Sequence, residues 1–210
     1  MIFKTVTSYP KNSDTIVSFF QHDKNPLFLY SDFQPAFDAA YGGDNFGCKS
    51  GDIKTLRMKL QDSFVNIILV AFDLDSSEKG LDAFRKAILK LGTKLNELKS
   101  ENIFIDNLEA MTFANKEEIA RQLASTLPLC DYAFDKYKGK KAEYTEKEIY
   151  IYSNQTFLDK PLLEGANIVD AFANCDALMS ISFGSSLFSL GVNAFYNCDS
   201  LVAISLPMSL

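Results

Sequence analysis

Apolar residues in the first 160 positions recur with two different periods, which predict strands and helices. Short apolar runs bounded by turn residues predict strands at residues 15–20, 26–30, 55–60, 65–72, 102–106 and 147–152. The run at 65–72 is almost uninterrupted, as is typical of a strand covered on both faces. We therefore expect residues 65–72 to lie inside a sheet.

Spacings of three and four between apolar residues predict a long helix over residues 77–99. Residues 33–41 are predicted to form a shorter helix. A further helix is predicted to begin at Asn115, with Glu118 reaching back to the capping residue, and Pro128 should kink or split it. Strand 65–72, the long helix and strand 102–106 make a β-α-β unit with a right-handed parallel crossover. The predicted fold class is α/β, a mixed sheet flanked by helices.

The charge pattern changes abruptly near residue 160. Residues 1–160 contain all 21 basic residues, whereas residues 161–210 contain none and only four acidic residues. We therefore predict one domain at residues 1–155, a linker at 156–169 and a second unit at 170–210.

The second unit repeats itself after 23 residues. Residues 171–178 match residues 194–201, and Ile181 and Ser182 fall on Ile204 and Ser205 in the same register. The pattern A-F-x-N-C-x-x-L-x-x-I resembles the BspA-like class of leucine-rich repeats. This resemblance implies a short β-solenoid in which Leu178, Ile181 and their counterparts point inward.

An array of this length lacks the three repeats that a solenoid usually needs to bury enough apolar surface. Its last strand, residues 202–206, is expected to leave an adhesive edge. We therefore expect the repeats to dock on the first domain or on another chain, unless the sequence is truncated.

Three landmarks in residues 14–153 resemble the N-terminal domain of the leucyl (cytosol) aminopeptidases. They are the glycine loop and strand at 46–52, the strand and helix at 66–98, and the segment Leu127-Pro128-Leu129-Cys130-Asp131-Tyr132-Ala133-Phe134-Asp135-Lys136-Tyr137-Lys138-Gly139-Lys140-Lys141. Pro128 departs from the family's usual glycine- and leucine-rich helix. The resemblance implies a macro-domain-like fold that is not catalytic in the family and helps to assemble hexamers.

The family's catalytic metal ligands lie in a downstream domain, and its Asn-Thr-Asp-Ala-Glu-Gly-Arg segment is absent from this sequence. Residues 163–170 resemble the start of that domain only briefly. We therefore assign no catalytic, metal-binding or cofactor-binding residue, and we expect a chain that is not itself an enzyme.

Three segments have compositions that can bind ligands. The glycine loop at 42–51 can present amides to phosphate, Asp73 and Asp75 can hold a divalent cation at a strand end, and the lysines of 136–141 lie among aromatic residues as in nucleic-acid sites. The loop lacks both phosphate-binding signatures, Asp73 and Asp75 precede a helix that they can cap, and acidic residues flank the lysines. We favour a turn for the loop, a helix cap for the two aspartates and a solvated helix end for the lysines.

The single histidine, His22, is predicted at an exposed strand end, and no partner for a catalytic role is evident. The cysteines lack C-x-x-C spacing, so we favour buried free thiols at Cys48, Cys130, Cys175 and Cys198. Cys175 and Cys198 are repeat equivalents, for which packing is favoured over a disulfide or a bound metal.

Charge and hydropathy exclude some partner classes. No apolar run approaches a membrane span or a signal-peptide core, and the net charge of −6 gives no general attraction to nucleic acid. We expect a cytoplasmic protein with a protein partner or self-association.

Three functions remain as hypotheses. The first is a non-catalytic interaction scaffold. The second is a fragment or rearranged relative of a metal-dependent leucyl aminopeptidase that needs a complete subunit, and the third is a macro-domain-like module that binds a nucleotide.

Overall fold

A computed structural model describes residues 1–22, 24–42, 48–60, 63–72, 79–131, 146–154, 158–170, 177–182, 195 and 198–205. The strands are β1 (Ile2–Val6), β2 (Thr15–Gln21), β3 (Ile53–Leu60), β4 (Ser63–Phe72), β5 (Asn102–Ile105), β6 (Glu148–Tyr152), β7 (Ser180–Ser182) and β8 (Ala203–Ser205). The helices are α1 (Phe33–Tyr41), α2 (Lys79–Leu98), α3 (Lys116–Thr126) and α4 (Asp159–Asp170), with 3₁₀ turns at Leu108–Ala110 and Leu127–Asp131.

The first six strands form one mixed sheet in the order β1-β6-β5-β2-β4-β3. Each neighbouring pair is parallel except β3 and β4, which form an antiparallel hairpin at one edge. Strand β4 has a neighbour on each side, and residues 67–71 are completely buried. The predicted α/β class and the internal position of this strand are confirmed.

Helices cover both faces of the sheet. Alternate residues of β2, β4, β5 and β6 pack against α2, α3 and Leu158 and Leu162 on one face. On the other face, Phe104 of β5 packs against Phe33 of α1, which in turn contacts Phe28. The parallel strands are therefore covered on both sides, as their nearly continuous apolar sequences predict.

The local signals for α3 are confirmed in part. The side chain of Asn115 accepts a hydrogen bond from the amide of Glu117 at 2.9 Å, and the α-helix ends at Thr126, before the 3₁₀ turn that contains Pro128. Glu118, however, accepts bonds from Arg121 and Gln122. The expected reciprocal cap by Glu118 is thus replaced by contacts along the helix.

One predicted element is wrong, and one element was not predicted. Residues 26–30 form no strand, and β1, which pairs in parallel with β6, was not among the predicted strands. In addition, α4 covers most of the predicted linker at 156–169, and its first turn buries Leu162 in the core while the side chain of Thr5 bonds to Asp159. Residues 158–164 are therefore packed against the domain.

The described part of the repeat is a parallel pair of short strands. Ser180, Ile181 and Ser182 of β7 lie opposite Ala203, Ile204 and Ser205 of β8, which is an offset of 23 residues. The amide of Val202 also donates to the carbonyl of Met179, at 2.9 Å and with the same offset. The strand register equals the period of the sequence repeat.

No helix in the ranges given above is long and apolar enough to cross a membrane.

Candidate functional site

The carboxyl ends of β2 and β5 form the position where open α/β sheets usually hold ligands. From β2 the chain continues through α1 to β3 and β4 on one side of the sheet, and from β5 it goes to β6 on the other side. Such a reversal opens a crevice between the two adjacent strands at their carboxyl ends. The residues at this crevice are therefore the first candidates for a binding site.

Asp106 and Asn107 follow β5 directly and lie at this crevice. Asp106 is completely buried, and Asn107 is 4% exposed. The amide of Asp106 donates to the carbonyl of Val17 in β2 at 3.0 Å, which carries the strand pairing one step beyond β5. Both polar side chains are thereby held among the strand ends.

The Asp106 carboxylate binds the main chain of residues 26–30, which we name the strap. Its two oxygens accept hydrogen bonds from the amides of Leu29 at 2.6 Å and Tyr30 at 2.8 Å. Burial raises the pKa of Asp106 to about 6, although the two amide bonds act in the opposite direction. Desolvation therefore outweighs the stabilisation of the charge by the amides.

Asn107 joins the strap to β2. Its amide group donates to the carbonyl oxygens of Phe19 at 2.6 Å and Leu27 at 3.1 Å and to the hydroxyl of Ser18 at 3.1 Å. Its side-chain oxygen accepts a bond from the amide of Phe19 at 2.9 Å. Asn107 therefore forms hydrogen bonds with the main chain of β2 and with the main chain of the strap.

The strap is anchored on its other side by Phe28. The amide of Phe28 donates to Gln34 of α1 at 2.9 Å, and its ring lies 6.0 Å from that of Phe33 and 5.2 Å from that of Phe37, between centroids. The strap is therefore held at the carboxyl ends of β2 and β5 by contacts on both of its sides.

Asp106 and Asn107 were not among the residues predicted from the sequence to bear on chemistry. The available signal was their position, because two polar residues follow a buried strand at the carboxyl edge of a parallel sheet. The strand predicted at 26–30 concealed this signal, because that interpretation did not suggest a segment whose main chain these two side chains could bind.

Several segments predicted to bear on chemistry lie outside the described residues. They are Asp73 and Asp75, the lysines at 136–141, and Cys175. In the described part of the glycine loop, the amide of Asp52 donates to the carbonyl of Lys49 at 3.0 Å, and Gly51 has a φ of +84°. This part is the expected turn, and the positive φ explains the glycine.

The remaining predicted residues are half-buried. His22 follows β2, and its carbonyl accepts a bond from the amide of Cys48 at 3.3 Å. Cys48, Cys130 and Cys198 are each half-buried, so none of the three is fully buried as predicted. Across the described ranges, no three histidine, cysteine or acidic side chains form a group that could hold a metal ion.

The repeat strands provide a second candidate surface. Ile204 is 45% exposed, Met179 is 65% exposed and Val202 is 81% exposed. Ile181, which has β8 beside it, is half-buried. The inward burial expected for Ile204 is therefore not reached, and β8 presents apolar side chains to solvent.

These features define an α/β domain with a crevice closed by its own main chain, joined to a repeat unit with an apolar strand. The cytosol aminopeptidase family, N-terminal domain, matches residues 24–141, and the BspA type leucine rich repeat region matches residues 167–210. The chain belongs to the cytosol aminopeptidase family through this N-terminal domain.

Individual relatives agree with this assignment. A probable cytosol aminopeptidase of Sulfurihydrogenibium sp. (strain YO3AOP1) is 38% identical over 71 residues, which are 33% of this chain and 14% of the relative. A mutant tomato leucine aminopeptidase is similar in structure, with a TM-score of 0.58 and 12% identity over 80% of this chain and 36% of that one. The bottromycin maturation enzyme BotP has a TM-score of 0.51 and 16% identity over 77% of this chain and 32% of that one. The structural likenesses establish the shared fold, and this chain spans a small part of each relative.

Proposed function

We propose that this chain is a non-catalytic interaction scaffold, in which an aminopeptidase-type N-terminal domain carries a repeat unit that binds a protein partner. The observation that carries the proposal is the exposed apolar surface of β8, whose pairing with β7 follows the 23-residue repeat. Among the described residues β8 pairs with β7 alone, and a strand edge of this kind can accept another strand through its main chain.

The extent of the family match supports the absence of catalysis. The match covers the N-terminal domain, and the chain spans 14% of the curated relative. The crevice at the sheet edge gives further support, because main-chain groups of the strap already occupy the polar atoms of Asp106 and Asn107. We place the protein in the cytoplasm, which the name of the cytosol aminopeptidase relative supports.

A second copy of the chain is the first partner to test. Sedimentation velocity of the complete chain over a range of concentrations should show a larger species that grows with concentration. Ile204→Asp should weaken this association at least tenfold, because it places a charge on the exposed apolar surface. Ser205→Asp is the matched control, since it adds the same charge to the next residue of β8, which points to the opposite face. A wild-type chain that stays monomeric throughout would exclude self-association.

The match to an aminopeptidase over 71 residues favours a second candidate. In this alternative, the chain is a fragment or rearranged relative of a metal-dependent leucyl aminopeptidase and acts only within a complete assembly. Size-exclusion chromatography of a mixture with the cognate full-length enzyme should then show one co-eluting complex. Separate elution at micromolar concentrations would count against this candidate.

A further inference from the structure

The hairpin of β3 and β4 carries an exposed aromatic ring beside two basic side chains. Phe64 lies directly opposite Lys59 in the strand pairing, and Arg57 lies two residues from Lys59, so the three side chains share one face. Phe64 is 62% exposed, and the guanidinium carbon of Arg57 lies 5.5 Å from the centroid of its ring. Further along the same face, Ile68 and Val70 are buried in the core. The three residues, which we name the hairpin patch, therefore lie where this face of the sheet leaves the cover of the helices.

The apolar side chains of the repeat unit also share one face. Val202 and Ile204 are two residues apart along the chain, and Met179 lies beside Val202, to which its carbonyl is bonded. All three side chains are exposed. We name them the repeat face.

The hairpin and the repeat unit have opposite charges. β3 contains three basic and no acidic residues, and β4 contains no charged residue. Residues 161–210 contain four acidic and no basic residues. Of these, Glu164 is paired with Arg121 of α3, and Asp199 is exposed in the turn before β8. This arrangement favours contact between the hairpin and a repeat unit, and it disfavours contact of either surface with its own counterpart.

The helix that leads into the repeats is fixed at the opposite edge of the sheet from the hairpin. β3 is the last strand at one edge and β1 is the last at the other, about 24 Å away for a sheet of this width. α4 packs against β1 and α3, and the side chain of Thr5 in β1 bonds to Asp159 of α4. The hairpin patch and the repeat face are both exposed in the same chain. Within the described residues, neither surface therefore covers the other.

We propose that the hairpin patch binds the repeat face of a second copy, so that chains associate head to tail. Phe64 packs against the apolar side chains, and Arg57 and Lys59 lie toward the acidic residues of the repeat unit. This inference rests on the proposed interaction function and names the surface that the partner copy contributes. Because the two surfaces differ, the contact repeats from chain to chain and builds an open chain or a ring in place of a two-fold dimer.

Sedimentation velocity of the complete chain tests the patch through a charge reversal. The wild type should form species larger than a dimer as its concentration rises. Arg57→Glu should weaken this association at least about tenfold, because it places a like charge opposite the acidic repeat unit. Lys49→Glu is the matched control, since Lys49 is exposed and precedes β3, at least about 13 Å of strand from Arg57. That separation exceeds the Debye length of about 8 Å, so the control should change the association less than about threefold.

Mixing two variants separates a head-to-tail contact from a two-fold one. Arg57→Glu keeps an intact repeat face, and Ile204→Asp keeps an intact hairpin patch. Each variant alone should stay monomeric where the wild type associates. Their mixture should form a one-to-one dimer and nothing larger, because one complementary pair of surfaces remains. If circular dichroism shows that either variant does not fold, Lys59→Glu or Val202→Asp replaces it.

The outcomes separate this inference from the function on which it rests. If the wild type associates but Arg57→Glu has no effect, or if the mixed variants stay monomeric, the hairpin patch is not the contact and the interaction scaffold stands. If the wild type stays monomeric throughout, the head-to-tail contact is overturned together with self-association.

Discussion

Gly92 of α2 lies so close to Cys130 of the second 3₁₀ turn that no side chain fits between them. A methyl group at Gly92 would lie 2.5 Å from the Cβ of Cys130. The turn is fixed to the same helix by a bond from the side chain of Asn96 to the carbonyl of Cys130 at 2.8 Å. The turn containing Pro128 therefore packs on α2 through this glycine.

Gly92→Ala should lower the free energy of unfolding by roughly 1–3 kcal/mol. Alanine at a helix interior gains up to about 1 kcal/mol over glycine, but the overlap with a main-chain-bound Cβ exceeds this gain. Urea denaturation followed by circular dichroism measures the change. Cys130→Gly in the same chain should recover most of the loss, and an undiminished loss in the double variant would show that the contact is not the cause.

Asn107→Ala should destabilise the domain by about 2–4 kcal/mol, because it leaves buried main-chain groups of Phe19 and Leu27 without their side-chain partner. The matched control is Asn12→Ala, which removes an exposed bond to Asn102 and should change stability by less than about 0.5 kcal/mol. Equal effects of the two substitutions in urea denaturation would contradict the role assigned to Asn107.

The pH dependence of stability should carry a contribution from Asp106 that decreases as the pH rises. Because burial raises its pKa to about 6, the folded chain binds this proton more tightly than the unfolded chain does. The stabilisation is complete below about pH 4 and is lost by about pH 6, with a size on the order of 3 kcal/mol.

Exposed carboxylates act in the opposite direction. A bond from Lys4 lowers the pKa of Glu148, and a bond from Lys86 lowers that of Asp82, so their contributions are lost at acid pH. The informative quantity is therefore the difference between wild type and Asp106→Asn, measured by urea denaturation at pH 4.5 and pH 7. A difference that does not change between these pH values would contradict the assignment.

Sequence patterns within a short window predict those elements that depend on residues close together in the chain. The apolar run of β4, the spacing along α2 and the cap at Asn115 each depend on nearby residues, and all three predictions are confirmed. The repeat also predicts the pairing of Ile181 with Ile204, because equivalent positions on successive coils lie side by side.

The misses depend on contacts that are distant in the sequence. β1 exists because it pairs with β6, which lies more than 140 residues later, as in the pair of Ile2 with Glu148. The strap has the composition of a strand, but its main chain bonds to the side chains of Asp106 and Asn107 and forms no strand. Neither contact can be recognised from the pattern of residues that are adjacent in the sequence.

The assay that tests the central claim most directly is hydrolysis of leucyl-arylamide substrates by the purified 210-residue chain with added Mn²⁺ or Zn²⁺. A full-length cytosol aminopeptidase is the positive control, and a chelator is added to parallel samples. A scaffold predicts no turnover above the metal-only blank. Metal-dependent turnover that the chelator abolishes and that follows the chain through purification would contradict it.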